Sequence, residues 1–149
     1  MTSLKKGDKA PDFSSKDQDG NSVNLSDFKG RKLVLFFYPK ASTPGCTAQA
    51  CNLRDNWEYF KQKGFLILGV SADSEKRQQS FKSKYELPFP LLADEEKNVI
   101  NAYGVWGPKK FMGKEYDGIH RTTFIIDENG IVEDVIGKVK TKEHASQIL

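Results

Sequence analysis

The chain holds two cysteines, Cys46 and Cys51, in the stretch "PKASTPGCTAQAC" at residues 39–51. The thiolate is the nucleophilic form of cysteine, and a helix N-terminus or a neighbouring cation favours it. The local sequence predicts a helix start at this point. Pro44 suits the first helical position, where its missing N–H loses nothing, and Thr43 before it is a good N-cap. Cys46 then falls at the third helical position, which in a capping box holds Glu or Gln. The reading is that its sulfur takes the place of that side chain, among unpaired N–H groups at the positive end of the helix dipole. Helical periodicity also turns Cys46 toward the core, where burial opposes charge, so a cation is expected beside it. The residues alone do not choose which one.

The spacing of the thiols limits what they do together. On an undistorted helix, residues five apart have Cα atoms about 8.6 Å apart and point about 140° away from each other. A disulfide wants Cα atoms about 4.4–6.8 Å apart. Cys46 and Cys51 therefore cannot bond while the helix is intact, and bonding requires its first turns to unwind. Such a pair suits a cycle that opens and refolds better than a fixed staple. The plain alternative is packing, since free cysteine is among the most buried residue types. A thiol–disulfide oxidoreductase of thioredoxin type fits less well, because CxxC is missing. A non-enzymatic redox sensor or holdase-like module would use the same switch. Two cysteines with the distant His120 and His144 lack metal-ligand spacing, so no metal is expected. His120 reads as a loop residue and His144 as a surface residue of the last helix.

The elements that must position these thiols follow from pattern. "KLVLFFYP" (32–39) and "FLILGVSAD" (65–73) are continuous apolar runs, as strands buried on both faces read. Between them Cys46, Ala50, Leu53, Trp57 and Phe60 keep helical periodicity, predicting one helix over residues 44–63. Strand, helix and strand make a βαβ unit with a parallel pair. A polar hairpin from Phe13 to Val23 and Leu25 precedes it, turning at Asp19-Gly20. Residues 74–85 predict a surface helix capped by Asp73 or Ser74, and "PFPLLAD" a short extended piece. "DEEKNVINAYGV" predicts a short helix capped by Asp94 and stopped at Gly104, and 122–137 a hairpin across "DENG". A helix start is read at Thr141. This order, βαβ, helices, then ββα, is that of a thioredoxin fold.

The totals bound the function. The 149 residues suit one domain, 1–149, and no stretch is long and apolar enough to span a membrane. The net charge of +3 comes from lysines mixed with acids ("DEEK", "KEYD"), which reads as a solvated surface and not as a nucleic-acid footprint. "MTSLKKGDKAPDF" contains no apolar signal core, so a cytoplasmic location is expected, where a permanent disulfide is disfavoured.

"FYPKASTPGCTAQAC" resembles the active-site segment of peroxiredoxins, with Pro39, Thr43 and Cys46 filling their PxxxTxxC pattern. The second cysteine five residues on is similar to the Q-type, or bacterioferritin comigratory protein, branch. "GDKAPDFSSKDQDGNSVNLSDFKG", "GVSADS", "FPLLAD", "YGV" and "HRTTFIIDENG" carry the likeness along nearly the whole chain. The resemblance implies a thioredoxin fold with an N-terminal hairpin extension and a central mixed sheet flanked by helices. It implies a thiol peroxidase acting on hydrogen peroxide and organic hydroperoxides, with no cofactor. Cys46 would be the peroxidatic cysteine and become a sulfenic acid, and Cys51 the resolving cysteine that condenses with it. Thioredoxin or a similar dithiol protein would reduce the disulfide, and the chain would be a monomer. Arg121 matches the arginine near the thiolate, Thr43 the threonine that hydrogen-bonds at the site, and Pro39 the residue that shields it. Gln49 stands where relatives often carry Glu, which suggests tuning of solubility or helix stability.

Overall fold

The computed structural model describes residues 2–149; Met1, which opens the N-terminal stretch, lies outside them. Leu33, Leu35 and Phe37 of β3 (Lys32–Phe37) point to one face of a sheet, and Val34 and Phe36 to the other, all fully buried. This two-sided burial is why the run is continuous rather than alternating. β3 pairs in parallel with β4 (Phe65–Ser71), which pairs in parallel with the short β5 (Leu91–Ala93). On its other side β3 meets β8 (Thr122–Ile126) antiparallel, and β8 meets β9 (Val132–Ile136). The order β5-β4-β3-β8-β9 is the central mixed sheet of the thioredoxin fold that the element order predicts. Gly69 in β4 allows close packing of the chains beside it: a Cβ there would lie 2.7 Å from Leu91 and 2.8 Å from Phe36.

The N-terminal hairpin is β1 (Ser14–Lys16) with β2 (Ser22–Asn24), as expected, and a bridge from Asp17 to Leu92 ties it to the sheet edge at β5. Two apolar clusters fill the faces of the sheet. One joins β3 and β8 to Phe13, Ile100, Tyr103 and Val105; the other joins β3 and β4 to the helix that carries Cys46.

The helix predicted over 44–63 is two helices, α1 (Pro44–Asp55) and α2 (Trp57–Gln62). Asn56 causes the break. Its side-chain amide donates to the Asn52 carbonyl at 2.9 Å, taking the acceptor that a continuing helix would give to its backbone N–H. α3 (Glu75–Lys84) starts where expected, with the Ser74 side chain accepting from the Arg77 N–H. α4 (Asn98–Ala102) starts later than "DEEKNV" suggests, but Asp94 still serves it by accepting from the Ile100 N–H at 2.8 Å. A hairpin over a stretch to which the sequence pattern assigns no element, β6 (Trp106–Phe111) with β7 (Lys114–Ile119), projects Phe111, Met112 and Tyr116 into solvent. No helix among the described residues is long and apolar enough to cross a membrane.

The last helix, α5 (His144–Ile148), corrects the reading of His144 as a surface residue. Its side chain is fully buried. Nδ1 lies 2.8 Å from Gln147 Oε1 and Nε2 lies 2.7 Å from Thr123 Oγ1. Gln147 Oε1 only accepts, so the network puts the proton on Nδ1 and leaves Nε2 to accept from the threonine hydroxyl. Burial, assisted by the Arg121 charge, lowers the His144 pKa from its ordinary 6.5, with the Gln147 hydrogen bond opposing. The unfolded chain therefore takes up a proton near pH 6.5 that the folded chain refuses. Stability from this group is complete above that pH and is lost as pH falls toward the lowered folded value. The thermal midpoint is expected to drop between pH 7.5 and pH 5, and to drop less in His144→Asn; equal drops would show that His144 has no part in it.

Candidate active site

The geometry at the start of α1 is built by three segments. β3, the central strand, ends and the loop 38–43 carries the chain past the end of the sheet to α1. Ala41 N–H donates to the buried Asp73 carboxylate at 2.7 Å, and Asp73 also accepts from the Ser71 hydroxyl at 2.7 Å. The loop is thereby tied to the end of β4. Thr43 has extended backbone at the N-cap position and Pro44 opens the helix, as the sequence predicts. Cys46 comes next on the buried face, 1% exposed, in the apolar cluster with Ala50 and Leu53. Cys51 is half-buried, and both cysteines are free thiols.

The cation expected beside Cys46 comes from β8's approach, 75 residues away in sequence. Arg121 Nη2 donates to Cys46 Sγ at 3.3 Å, and its Nη1 donates to Gln49 Oε1 at 2.6 Å. The planar guanidinium thus spans two residues one helical turn apart on α1, which a point-charge ammonium cannot do. Gln49 is fully buried, so of the two expectations, tuning of solubility or of helix stability, burial removes the first; its Oε1 accepts from the arginine. Its Nε2 has no hydrogen-bond partner among the described residues.

Two expectations about the helix start change. The Thr43 hydroxyl makes no side-chain cap; it donates to the Lys40 carbonyl at 2.7 Å, leaving its lone pairs to accept. The sulfur does not replace a capping side chain either, since its hydrogen-bond partner among the described residues is Arg121. Among the described residues the Cys46 N–H has no backbone partner, and it remains a donor beside the sulfur, as the third position of a helix leaves it. Pro39 is half-buried in the loop that follows β3.

Sequence reasoning missed two neighbours of the site. Gly45 lets Arg121 approach: an added Cβ would lie 3.3 Å from Nη2. Lys109 on β6 donates to the Ile119 carbonyl at 2.9 Å. Its pKa is lowered, chiefly by burial and then by the Arg121 charge, while Cys46 pulls the other way. Nothing local signals either role. Gly45→Ala tests the first: alanine favours a helix over glycine by up to about 1 kcal/mol, so the fold should hold or gain. The displaced guanidinium should slow the Cys46 oxidation that the sequence resemblance implies about tenfold, since small misplacements in a preorganised site weigh heavily. An unchanged rate in stopped-flow oxidation would remove Gly45 from the site.

Among the described residues no group of three or more His, Cys, Asp or Glu side chains is placed to hold a metal ion. The chemistry on offer is that of a cysteine sulfur next to a fixed cation and a free backbone N–H.

Known proteins share this arrangement of sequence and fold. A model of the AhpC/TSA family matches residues 6–135. The Escherichia coli K12 protein Peroxiredoxin Bcp is 51% identical over 149 residues, which is 100% of this chain and 96% of that protein. Among solved structures, a mutant of Xylella fastidiosa PrxQ superposes with a TM-score of 0.93 at 29% identity, covering 99% of this chain and 94% of that one. Xanthomonas campestris Bacterioferritin Comigratory Protein, studied for alkyl peroxide reduction activity in trapped intermediate and ligand complexes, gives a TM-score of 0.85 at 34% identity, covering 91% of this chain and 87% of that one. Likeness of this extent, in sequence and in the sheet that carries the cysteine helix, shows that the chain belongs to the AhpC/TSA family, among its peroxiredoxins.

Proposed function

We propose that the thiol-dependent peroxide reduction of this family runs here on Cys46 and Cys51, with Arg121, Thr43 and Pro39 forming the site. The observation that carries the reading is the 3.3 Å contact between Arg121 Nη2 and Cys46 Sγ at a buried helix start. The Cys46 thiolate attacks one peroxide oxygen. The S–O bond forms as the O–O bond breaks, and the departing oxygen takes a proton and leaves as water or an alcohol. Negative charge moves from sulfur to that oxygen, so donors that reach both positions stabilise the transition state. The guanidinium and the Cys46 N–H are such donors. The Thr43 hydroxyl, whose own proton is held by Lys40, accepts a hydrogen bond from the incoming peroxide. Pro39 walls the pocket.

The product is a sulfenic acid on Cys46. α1 unwinds, Cys51 condenses with it, and water leaves; thioredoxin or a similar dithiol protein then reduces the disulfide. The substrates are hydrogen peroxide and organic hydroperoxides, and the alkyl peroxide activity of the Xanthomonas relative supports the second class. The resemblance supports a monomer acting in the cytoplasm.

The deciding experiment is peroxide consumption by the purified chain coupled to a thioredoxin system, with several hydroperoxides. Many turnovers per chain are expected, whereas a single equivalent would point to a sensor. Cys51→Ser is expected to retain the first, stoichiometric oxidation, to stop with one sulfenic acid per chain by mass spectrometry, and to lose thioredoxin-coupled turnover by at least about tenfold, because the intramolecular thiol supplies a large effective concentration. Unchanged coupled turnover would deny Cys51 the resolving role.

A further inference from the structure

We propose that α5 is a latch on α1 that holds Cys51 away from Cys46, and that Asn52 is the positioning residue that closes it. The inference rests on the thiol roles proposed above. Asn52, the residue after Cys51, accepts through Oδ1 from the Ala145 N–H at 2.7 Å. That amide lies in the first turn of α5, where a helix leaves donors without internal partners, and the N-cap Glu143 supplies no side-chain bond. α1 therefore caps α5 across the gap between them. Ala145 is buried in the same apolar cluster as Cys46 and Leu53. The neighbouring His144 anchors α5 to the sheet through Thr123 Oγ1 at 2.7 Å. α5 is thus fixed to β8 on one side and, on the other, to the residue that follows the second thiol.

This placement acts on resolution. The Cα atoms of Cys46 and Cys51 must close from about 8.6 Å to within about 6.8 Å before a disulfide forms. Unwinding that begins at Pro44 reaches Cys51 and meets Asn52, which α5 holds in place. While the latch is closed the mobile segment ends at Cys51, and the thiol cannot swing round the helix. When the Asn52–Ala145 bond opens, the segment lengthens and Cys51 is freed. Its sulfur then attacks the sulfenic sulfur: an S–S bond forms, the S–O bond breaks, and the hydroxyl leaves with the thiol proton as water. Until that happens a second peroxide can oxidise the sulfenic acid to sulfinic acid, releasing its own water or alcohol. The latch therefore sets how much Cys46 is lost to overoxidation.

The test mixes the reduced chain with hydrogen peroxide, quenches it at intervals and counts sulfenic, disulfide and sulfinic forms by mass spectrometry. Asn52→Ala should leave the rate of first oxidation unchanged and speed disulfide formation about fivefold, the scale of losing one hydrogen bond of ordinary net strength. Its sulfinic fraction in excess peroxide should fall by a similar factor. Asn52→Asp, which keeps an acceptor for the Ala145 N–H, should return both quantities toward the wild-type values. Hydrogen exchange on the wild-type chain needs no substitution, and the Ala145 amide should exchange faster in the disulfide form than in the reduced form. Equal resolution rates in wild type and Asn52→Ala, an Asn52→Asp chain as fast as Asn52→Ala, or equal protection of Ala145 in both redox forms overturns the latch alone. A wild-type chain that forms no Cys46–Cys51 bond overturns the thiol roles and the latch with them.

Discussion

Cys46→Ser is expected to stop peroxide turnover. A serine hydroxyl is almost wholly protonated at neutral pH, and among the described residues no base stands in hydrogen-bond contact with this position to take its proton. The arginine beside it favours an anion but accepts no proton. Loss of a nucleophile from an enzyme whose other parts stay in place is a change of about a millionfold, which here means the background rate. Folding should survive, because the side chains are similar in size and the new hydroxyl can still accept from Arg121. The check is coupled peroxide consumption by a chain whose near-ultraviolet circular dichroism matches the wild type. Turnover that persists would remove Cys46 as the attacking atom and leave Cys51 as the only other thiol.

Arg121→Met carries the second largest effect. Methionine keeps much of the apolar stem and loses both hydrogen bonds and the charge. Peroxide oxidation of Cys46 should slow by about 100- to 1000-fold, the range for deleting one preorganised donor to charge that develops in a transition state. Arg121→Lys should recover only part of this, since one ammonium cannot donate to Cys46 and hold Gln49 in the same geometry. A second consequence separates the arginine from a mere surface charge. Gln49 Oε1 is fully buried and receives its hydrogen bond from Arg121, so Arg121→Met leaves a buried acceptor unsatisfied. That should lower stability by about 1–3 kcal/mol, read from the urea midpoint. A variant that keeps both its oxidation rate and its midpoint would place Arg121 outside the site.

How much of this was legible beforehand differs from residue to residue. The strands at 32–37 and 65–71 could be read because burial on both faces leaves an unbroken apolar run. The start of α1 could be read because Thr43 and Pro44 act on their own backbone. The hairpin 106–119 could not, because most of its outer side chains are exposed and charged residues break any alternation. The break at Asn56 was hidden too: the apolar positions keep their period across it, and one side-chain amide ends α1.

The chain's own order of residues determined the cysteine spacing, the helix start before Cys46 and the need for that helix to melt before the thiols meet. These are short-range matters, set by backbone geometry within a few residues. The antiparallel seat of β8 beside β3 decided that Arg121 is the cation, that Gln49 holds it and that Gly45 makes room for it. The docking of α5 decided that His144 is buried and that Asn52 is held. An apolar period along a chain reports which face of an element is buried, but not which distant side chain it meets or whether a polar residue such as His144 is covered, because these depend on strand order and packing between segments far apart in sequence.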